Sequence, residues 1–85
     1  MNDRNLSNLA LTIIEIINQQ YNVHVLVVKG QIQDMMKITG KKLDNSEFKD
    51  AITHLEAIKF IQRLSTNSDV LILTEEGKKF LQSNI

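Results

Sequence analysis

The sequence predicts an α+β domain that contains four helices and a small β-sheet. Apolar residues recur at helical spacing in residues 3–20, 30–38 and 44–58, which indicates three amphipathic helices. Residues 60–73 hold two β-rich segments on either side of a polar tip, and a helix-start pattern follows them. Because a chain of 85 residues supports one modest core, we expect a single domain over residues 1–85.

The first helix is predicted from Asp3 to Gln20, with Asp3 or Asn5 as its N-cap. Leu11 and Ile14 lie outside its tightest apolar stripe, so the apolar surface is wider than one small core usually needs. We therefore expect a homodimer whose interface includes Leu11 and Ile14. The residues of the tight stripe recur at helical spacing and are Leu6, Leu9, Ala10, Ile13, Ile16 and Ile17.

A short strand and a second helix are predicted next. Residues 23–28 are rich in β-branched and apolar side chains, which favours a strand. From Gly30 the spacing becomes helical, and Gly40 suits the left-handed position just past a helix end. Lys41 and Lys42 then lie in a polar connection. The apolar positions of this second helix are Ile32, Met35, Met36 and Ile38.

The third helix begins after Asp44, because an acceptor there with Glu47 three residues later resembles a capping box. Its buried stripe is predicted to be Phe48, Ala51, Ile52, Leu55 and Ile58. At about 100° per residue, the positions opposite that stripe are Ser46, Asp50, Thr53 and Ala57. Functional side chains are therefore expected on this outward face.

The C-terminal part of the chain predicts a hairpin and a last helix. Residues 60–65 alternate loosely between apolar and polar, residues 66–69 form the turn, and residues 70–73 return as a strand. Four consecutive apolar residues in the returning strand indicate that both of its faces are covered. Thr74 is predicted to cap the last helix, and two glutamates suit its positive end.

Two segments, LEAIKFI at residues 55–61 and LTEEGKKFL at residues 73–81, carry a family pattern. With the order helix, strand, helix, helix, strand, wing, strand, helix, the chain resembles the winged helix-turn-helix domains of small prokaryotic transcription regulators of the MarR, PadR and ArsR-like groups. The family usually has glycine where this chain has Lys59, so we expect a slightly strained left-handed residue there. The resemblance implies a cytoplasmic, homodimeric regulator that binds double-stranded DNA.

The candidate DNA-binding side chains are basic or short and polar, and lie near the third helix and the hairpin. Lysine and arginine neutralise phosphates, whereas short polar side chains reach base edges. Residues 29–67 hold seven basic and five acidic side chains, and 7 − 5 leaves a charge of +2. The candidates are Lys41, Lys42, Ser46, Lys49, Thr53, His54, Arg63 and Asn67.

The alternative is a winged-helix module for protein interaction or dimerisation that binds no nucleic acid. The whole chain has ten basic and ten acidic side chains, so it lacks the basic excess typical of DNA-binding domains. Acidic Glu47 and Asp50 also lie near the start of the third helix, where they would repel phosphates.

The sequence does not predict an enzyme, a cofactor or a metal site. There is no cysteine, and nothing in the spacing of His24 and His54 brings them together with carboxylates. No glycine-rich phosphate loop or paired nucleophile and base is visible. Residues 9–17 are too polar and too short for a signal peptide or a membrane span. We therefore expect a cytoplasmic protein without membrane contact.

Overall fold

The computed structural model describes residues 6–83 of the chain. These residues form four helices and one three-stranded antiparallel sheet, so the α+β prediction and the predicted order of elements are confirmed. The helices are α1 (Asn8–Gln20), α2 (Val25–Ile38), α3 (Asn45–Ala57) and α4 (Glu75–Ser83). The strands are β1 (Val23–His24), β2 (Ile61–Leu64) and β3 (Asn67–Leu73).

Strand β3 is the central strand of the sheet, with β1 on one side and β2 on the other. Val23 of β1 and Arg63 of β2 both lie opposite Leu71, which is fully buried. Alternate residues of a strand point to opposite faces, so Leu71 and Leu73 face the core. Val70 and Ile72 are only half-buried. The chain itself therefore covers the first face of this strand fully and the second face in part, and complete coverage of the second face stays a prediction.

The hydrophobic core lies between the helices and the buried face of the sheet. Ile13, Phe48, Ile52 and Leu55 belong to one cluster, as the helical spacing predicts. Ile58 is half-buried at the edge of that cluster. Among residues 6–83, no polar or charged residue is buried, so apolar burial holds these elements together.

Helix α1 starts later than predicted, and more of its apolar side chains are buried in the core than predicted. Residues 6 and 7 are not helical, and the Ser7 side chain accepts a hydrogen bond from the Ala10 amide at 3.1 Å. The N-cap candidates Asp3 and Asn5 lie outside the described residues. Because Ser7 already provides the cap acceptor, a start at Asp3 is wrong.

The argument that placed Ile14 in a dimer interface is also wrong. Ile14 has 0% exposure, because the other elements of its own domain cover it. Leu11 is partly buried against the same core. The homodimer itself stays a prediction, but the width of the α1 stripe no longer supports it.

The strand predicted over residues 23–28 ends after two residues. The His24 Nδ1 atom accepts a hydrogen bond from the Leu26 amide at 3.1 Å and acts as the N-cap of α2. Helix α2 therefore starts at Val25, and Gly30 lies inside it. The β-branched residues were misleading because tertiary burial of Val28 overrides strand propensity. Gly40 has a φ of 76°, which confirms its left-handed position beyond the helix.

Two further features near α3 agree with the sequence. The Asp44 side chain accepts from the Ser46 amide at 2.8 Å, so Asp44 is the predicted N-cap. Lys59 has a φ of 65°, which is the left-handed conformation expected at the α3-to-β2 corner. A side chain in that conformation is disfavoured by about 1–2 kcal/mol, so the surrounding contacts must hold the corner in place.

The hairpin turn differs from the predicted residues 66–69. Ser65 and Thr66 form the turn, and Asn67 begins β3. The pairing is shifted between Arg63 and Leu64, which lets the hairpin close over two residues. The Asn67 side-chain oxygen still accepts a hydrogen bond from the backbone amide of Asp69, two residues later, at 3.0 Å.

We expect Ile52→Ala to lower the free energy of unfolding by about 2–5 kcal/mol, because its side chain is 3% exposed and packs inside the core. Ile38→Ala is the matched control: that side chain is 88% exposed, so the change should stay within about 0.5 kcal/mol. Urea unfolding measures both. Equal effects for the two variants would contradict the described core.

Two helical glycines should respond oppositely to alanine. A Cβ at Gly77 would lie 2.5 Å from the Phe60 carbonyl oxygen, so Gly77→Ala should destabilise the fold by about 1–3 kcal/mol. A Cβ at Gly30 meets nothing within 4 Å, so Gly30→Ala should stabilise it by about 0.5–1 kcal/mol. Thermal unfolding of the two variants checks the signs. A stabilised Gly77→Ala protein would show that α4 does not approach the β2 corner so closely.

Candidate nucleic-acid interface

A groove with a volume of about 760 Å³ lies between the starts of α2 and α3 and strand β2. Its lining includes the basic side chains of Lys29, Lys49 and Arg63. Ser46 and Thr53 add short polar groups beside them. We name this surface the cationic groove, defined by these five residues. It combines phosphate-neutralising groups with side chains that can reach base edges.

The packing of α3 determines which of its residues reach the cationic groove. Phe48 and Ile52 are buried and fix the rotation of the helix. At about 100° per residue, Lys49 and Thr53 then lie on the side facing the groove. The outward positions Ser46, Asp50, Thr53 and Ala57 are all exposed, as predicted.

Two helix N-termini open onto the same groove. Val25 and Leu26, the first residues of α2, line it together with Asn45 and Ser46, the first residues of α3. The N-terminus of a helix carries a partial positive charge, and its first amides lack partners within the helix. The Leu26 and Ser46 amides already donate to the His24 and Asp44 caps, and the Asp44 carboxylate offsets the α3 dipole. The α2 dipole is therefore the one that adds to the attraction that the basic side chains exert on an anion.

Arg63 is positioned by three hydrogen bonds. Its Nε donates to Glu56 Oε2 at 3.1 Å and its Nη2 donates to Glu56 Oε1 at 3.2 Å. Its Nη1 donates to the Ser68 carbonyl oxygen at 2.8 Å. The guanidinium thus connects the end of α3 with both strands of the hairpin. A partly exposed pair of this kind contributes about 0.2–1 kcal/mol, so its main effect is on geometry.

His54 lies apart from the cationic groove. It lines a second groove, between α1 and α3, together with Ser7, Glu47 and Asp50. These two carboxylates make that side of α3 unfavourable for phosphates. The predicted grouping of His54 with Lys49 and Thr53 is therefore not what the fold produces, because the two flanks of α3 face different neighbours.

The remaining predicted residues are exposed but lie outside the groove lining. Lys41 and Lys42 lie in the connection between α2 and α3. Asn67 lies at the start of β3, and its side-chain oxygen already accepts from the Asp69 amide. The structure thus brings together Ser46, Lys49, Thr53 and Arg63. The other predicted residues are not gathered with them.

Lys29 is the groove residue that the sequence argument missed. A strand over residues 23–28 would have placed it in a connection, whereas α2 places it in the second helical turn beside the groove. The signal that could have revealed it is His24, which can accept a hydrogen bond at a helix start through an unprotonated ring nitrogen.

Comparisons of the chain with models of protein families, with curated proteins and with solved structures found no match. Within residues 6–83, no group of three or more His, Cys, Asp or Glu side chains could hold a metal ion. A search of the same residues found no helix that combines the length and apolar character needed to span a membrane.

We expect His24→Ala to lower the free energy of unfolding by about 0.5–2 kcal/mol, because it removes the N-cap acceptor of α2. His24→Asn should recover most of this loss, since asparagine is among the preferred N-cap residues. Chemical unfolding followed by circular dichroism measures both changes. If alanine and asparagine destabilise equally, the imidazole does not act as the cap.

Proposed function

We propose that this protein is a winged-helix protein that binds double-stranded DNA through the cationic groove. The single observation that carries the proposal is the convergence of Lys29, Lys49 and Arg63 on a groove at two helix N-termini. The three basic side chains attract phosphate, with part of the Arg63 charge offset by Glu56, and together they form an anion-attracting surface on a chain whose formal net charge is zero.

The arrangement of elements is compatible with this function. Helix α3 takes the part of the recognition helix, and the hairpin formed by β2 and β3 takes the part of the wing. Phosphates would contact Lys29 and Lys49, while Ser46 and Thr53 on α3 would approach base edges in the major groove. Lys41 and Lys42 would extend the phosphate contacts along the exposed connection.

The charge distribution sets an upper limit on affinity. Glu47 and Asp50 lie on the flank of α3 that faces α1, so they repel phosphates from that side. Binding at physiological salt should therefore be modest for a single domain. A homodimer that places two α3 helices on two half-sites would raise the affinity, and we propose that assembly for a small transcriptional regulator.

A protein-interaction module without nucleic-acid binding is the second candidate. The observation that favours it is exposed apolar surface on α2, where Val27 is 46% exposed, Met35 is 51% exposed and Ile38 is 88% exposed. Apolar side chains that one helix leaves exposed are surface that a contact with another protein would bury.

The proposed function predicts that Lys29→Gln and Lys49→Gln each weaken binding to a short random-sequence duplex. Each should also reduce the slope of log affinity against log salt concentration by about one, because one phosphate contact is lost. Fluorescence anisotropy titrations at several salt concentrations measure both quantities. The matched control is Lys79→Gln, which removes the same charge from an exposed position on α4.

Equal weakening by all three variants would indicate a general charge effect and would remove the role of the groove. No duplex binding by the wild type at low salt, where phosphate attraction is strongest, would reject DNA binding and favour the protein-interaction function.

A further inference from the structure

Arg63 lines two neighbouring grooves. One is the cationic groove, which it lines with Lys29 and Lys49. The other contains Glu56, Glu75 and Glu76 together with Lys59. Arg63 is therefore within reach of a phosphate in the cationic groove while it is held by a carboxylate from the acidic side.

The hydrogen bonds of Arg63 leave little of its donor capacity for a ligand. Of the five N–H groups of an arginine, two donate to the Glu56 carboxylate and one donates to the Ser68 carbonyl oxygen. The Nε and Nη2 edge that holds Glu56 is one of the two guanidinium edges that bind carboxylate or phosphate with two parallel bonds. The other edge needs Nη1, which donates to the Ser68 carbonyl oxygen. Glu56 thus occupies the part of Arg63 that a DNA phosphate would use, and its charge offsets that of Arg63.

We propose that Glu56 is an internal competitor that limits the affinity of the cationic groove for DNA by holding Arg63. The proposal rests on the proposed function and adds a residue that regulates it. When a phosphate approaches, the Nε and Nη2 edge exchanges the Glu56 carboxylate for phosphate oxygens. The bond from Nη1 to the Ser68 carbonyl can persist during this exchange, so the guanidinium stays attached to the hairpin.

The exposure of the pair makes this exchange feasible. The Arg63 side chain is 39% exposed and the Glu56 side chain is 32% exposed, so water reaches both groups. An ion pair in that environment is weak enough for a phosphate to displace it, whereas a buried pair would not open. Glu56 and Arg63 are seven residues apart and belong to different elements, so their separation depends on the hairpin position.

The test measures duplex DNA binding by the wild type, Glu56→Gln, Arg63→Gln and the double variant. Glu56→Gln keeps the size of the side chain and removes its charge. We expect it to raise affinity by about two- to fivefold, the worth of an exposed ion pair, and to raise the salt slope by about one. In the Arg63→Gln background this gain should vanish, because no guanidinium remains to be released.

Two controls separate competition from simple charge removal. Glu47→Gln removes one negative charge from the opposite flank of α3, and its effect should persist in the Arg63→Gln background. Arg63→Lys keeps the positive charge but cannot bind a carboxylate with two parallel bonds, so Glu56→Gln should gain less there. Thermal unfolding confirms that each variant folds before it is titrated.

The outcomes distinguish failure of the competitor role of Glu56 from failure of the proposed DNA binding. Salt-dependent binding by the wild type, with no gain in Glu56→Gln, overturns the competitor role and leaves DNA binding intact. A gain that persists without Arg63 also overturns the competitor role. The absence of binding by every variant at low salt overturns both proposals. Binding that appears only in Glu56→Gln and depends on Arg63 supports both.

Discussion

The close packing of two chain corners is the constraint on which the rest of the fold depends. Lys59 and Phe60 turn the chain from α3 into β2, and Thr74 turns it from β3 into α4. The Thr74 amide donates to the Phe60 carbonyl oxygen at 3.0 Å, and the Thr74 hydroxyl donates to the Lys59 carbonyl oxygen at 2.6 Å. Gly77 leaves room for the Phe60 carbonyl, and the Phe60 and Phe80 rings lie 5.0 Å apart. These contacts explain how Lys59 is held in a left-handed conformation that only glycine adopts without cost.

The same corner fixes the candidate site. Because the Phe60 amide donates to the Leu55 carbonyl oxygen, β2 leaves α3 at a fixed angle and carries Arg63 back toward Glu56. The Arg63–Glu56 ion pair therefore forms only when the hairpin holds this position relative to α3. A hairpin shifted by a few ångströms would separate Arg63 from both Glu56 and the cationic groove. The geometry at the groove is therefore a consequence of packing at the opposite end of β2.

Sequence reasoning succeeded where local chemistry decides structure. The Asp44 cap, the left-handed Gly40, the left-handed Lys59 and the buried stripe of α3 each follow from a few neighbouring residues. It failed where tertiary burial decides. Val25 to Val28 has strand propensity but is helical, and the width of the α1 stripe was misread because Ile14 is covered by its own domain. The candidate site was predicted only in part. The predicted residues Ser46, Lys49, Thr53 and Arg63 do line one groove. Lys29 was missed because its place in the groove depends on the unexpected start of α2.

A formal net charge of zero does not prevent a directional electrostatic field, because the fold separates charges that the sequence mixes. On α3, Lys49 faces the cationic groove, whereas Glu47 and Asp50 face α1. Successive residues of a helix lie about 100° apart, so neighbouring opposite charges end on different flanks. Long-range attraction is then weak, but at distances within the Debye length of about 8 Å the nearest charges dominate. Such a surface favours phosphates only once they are close, so recognition would depend more on the fit of the groove than on long-range attraction.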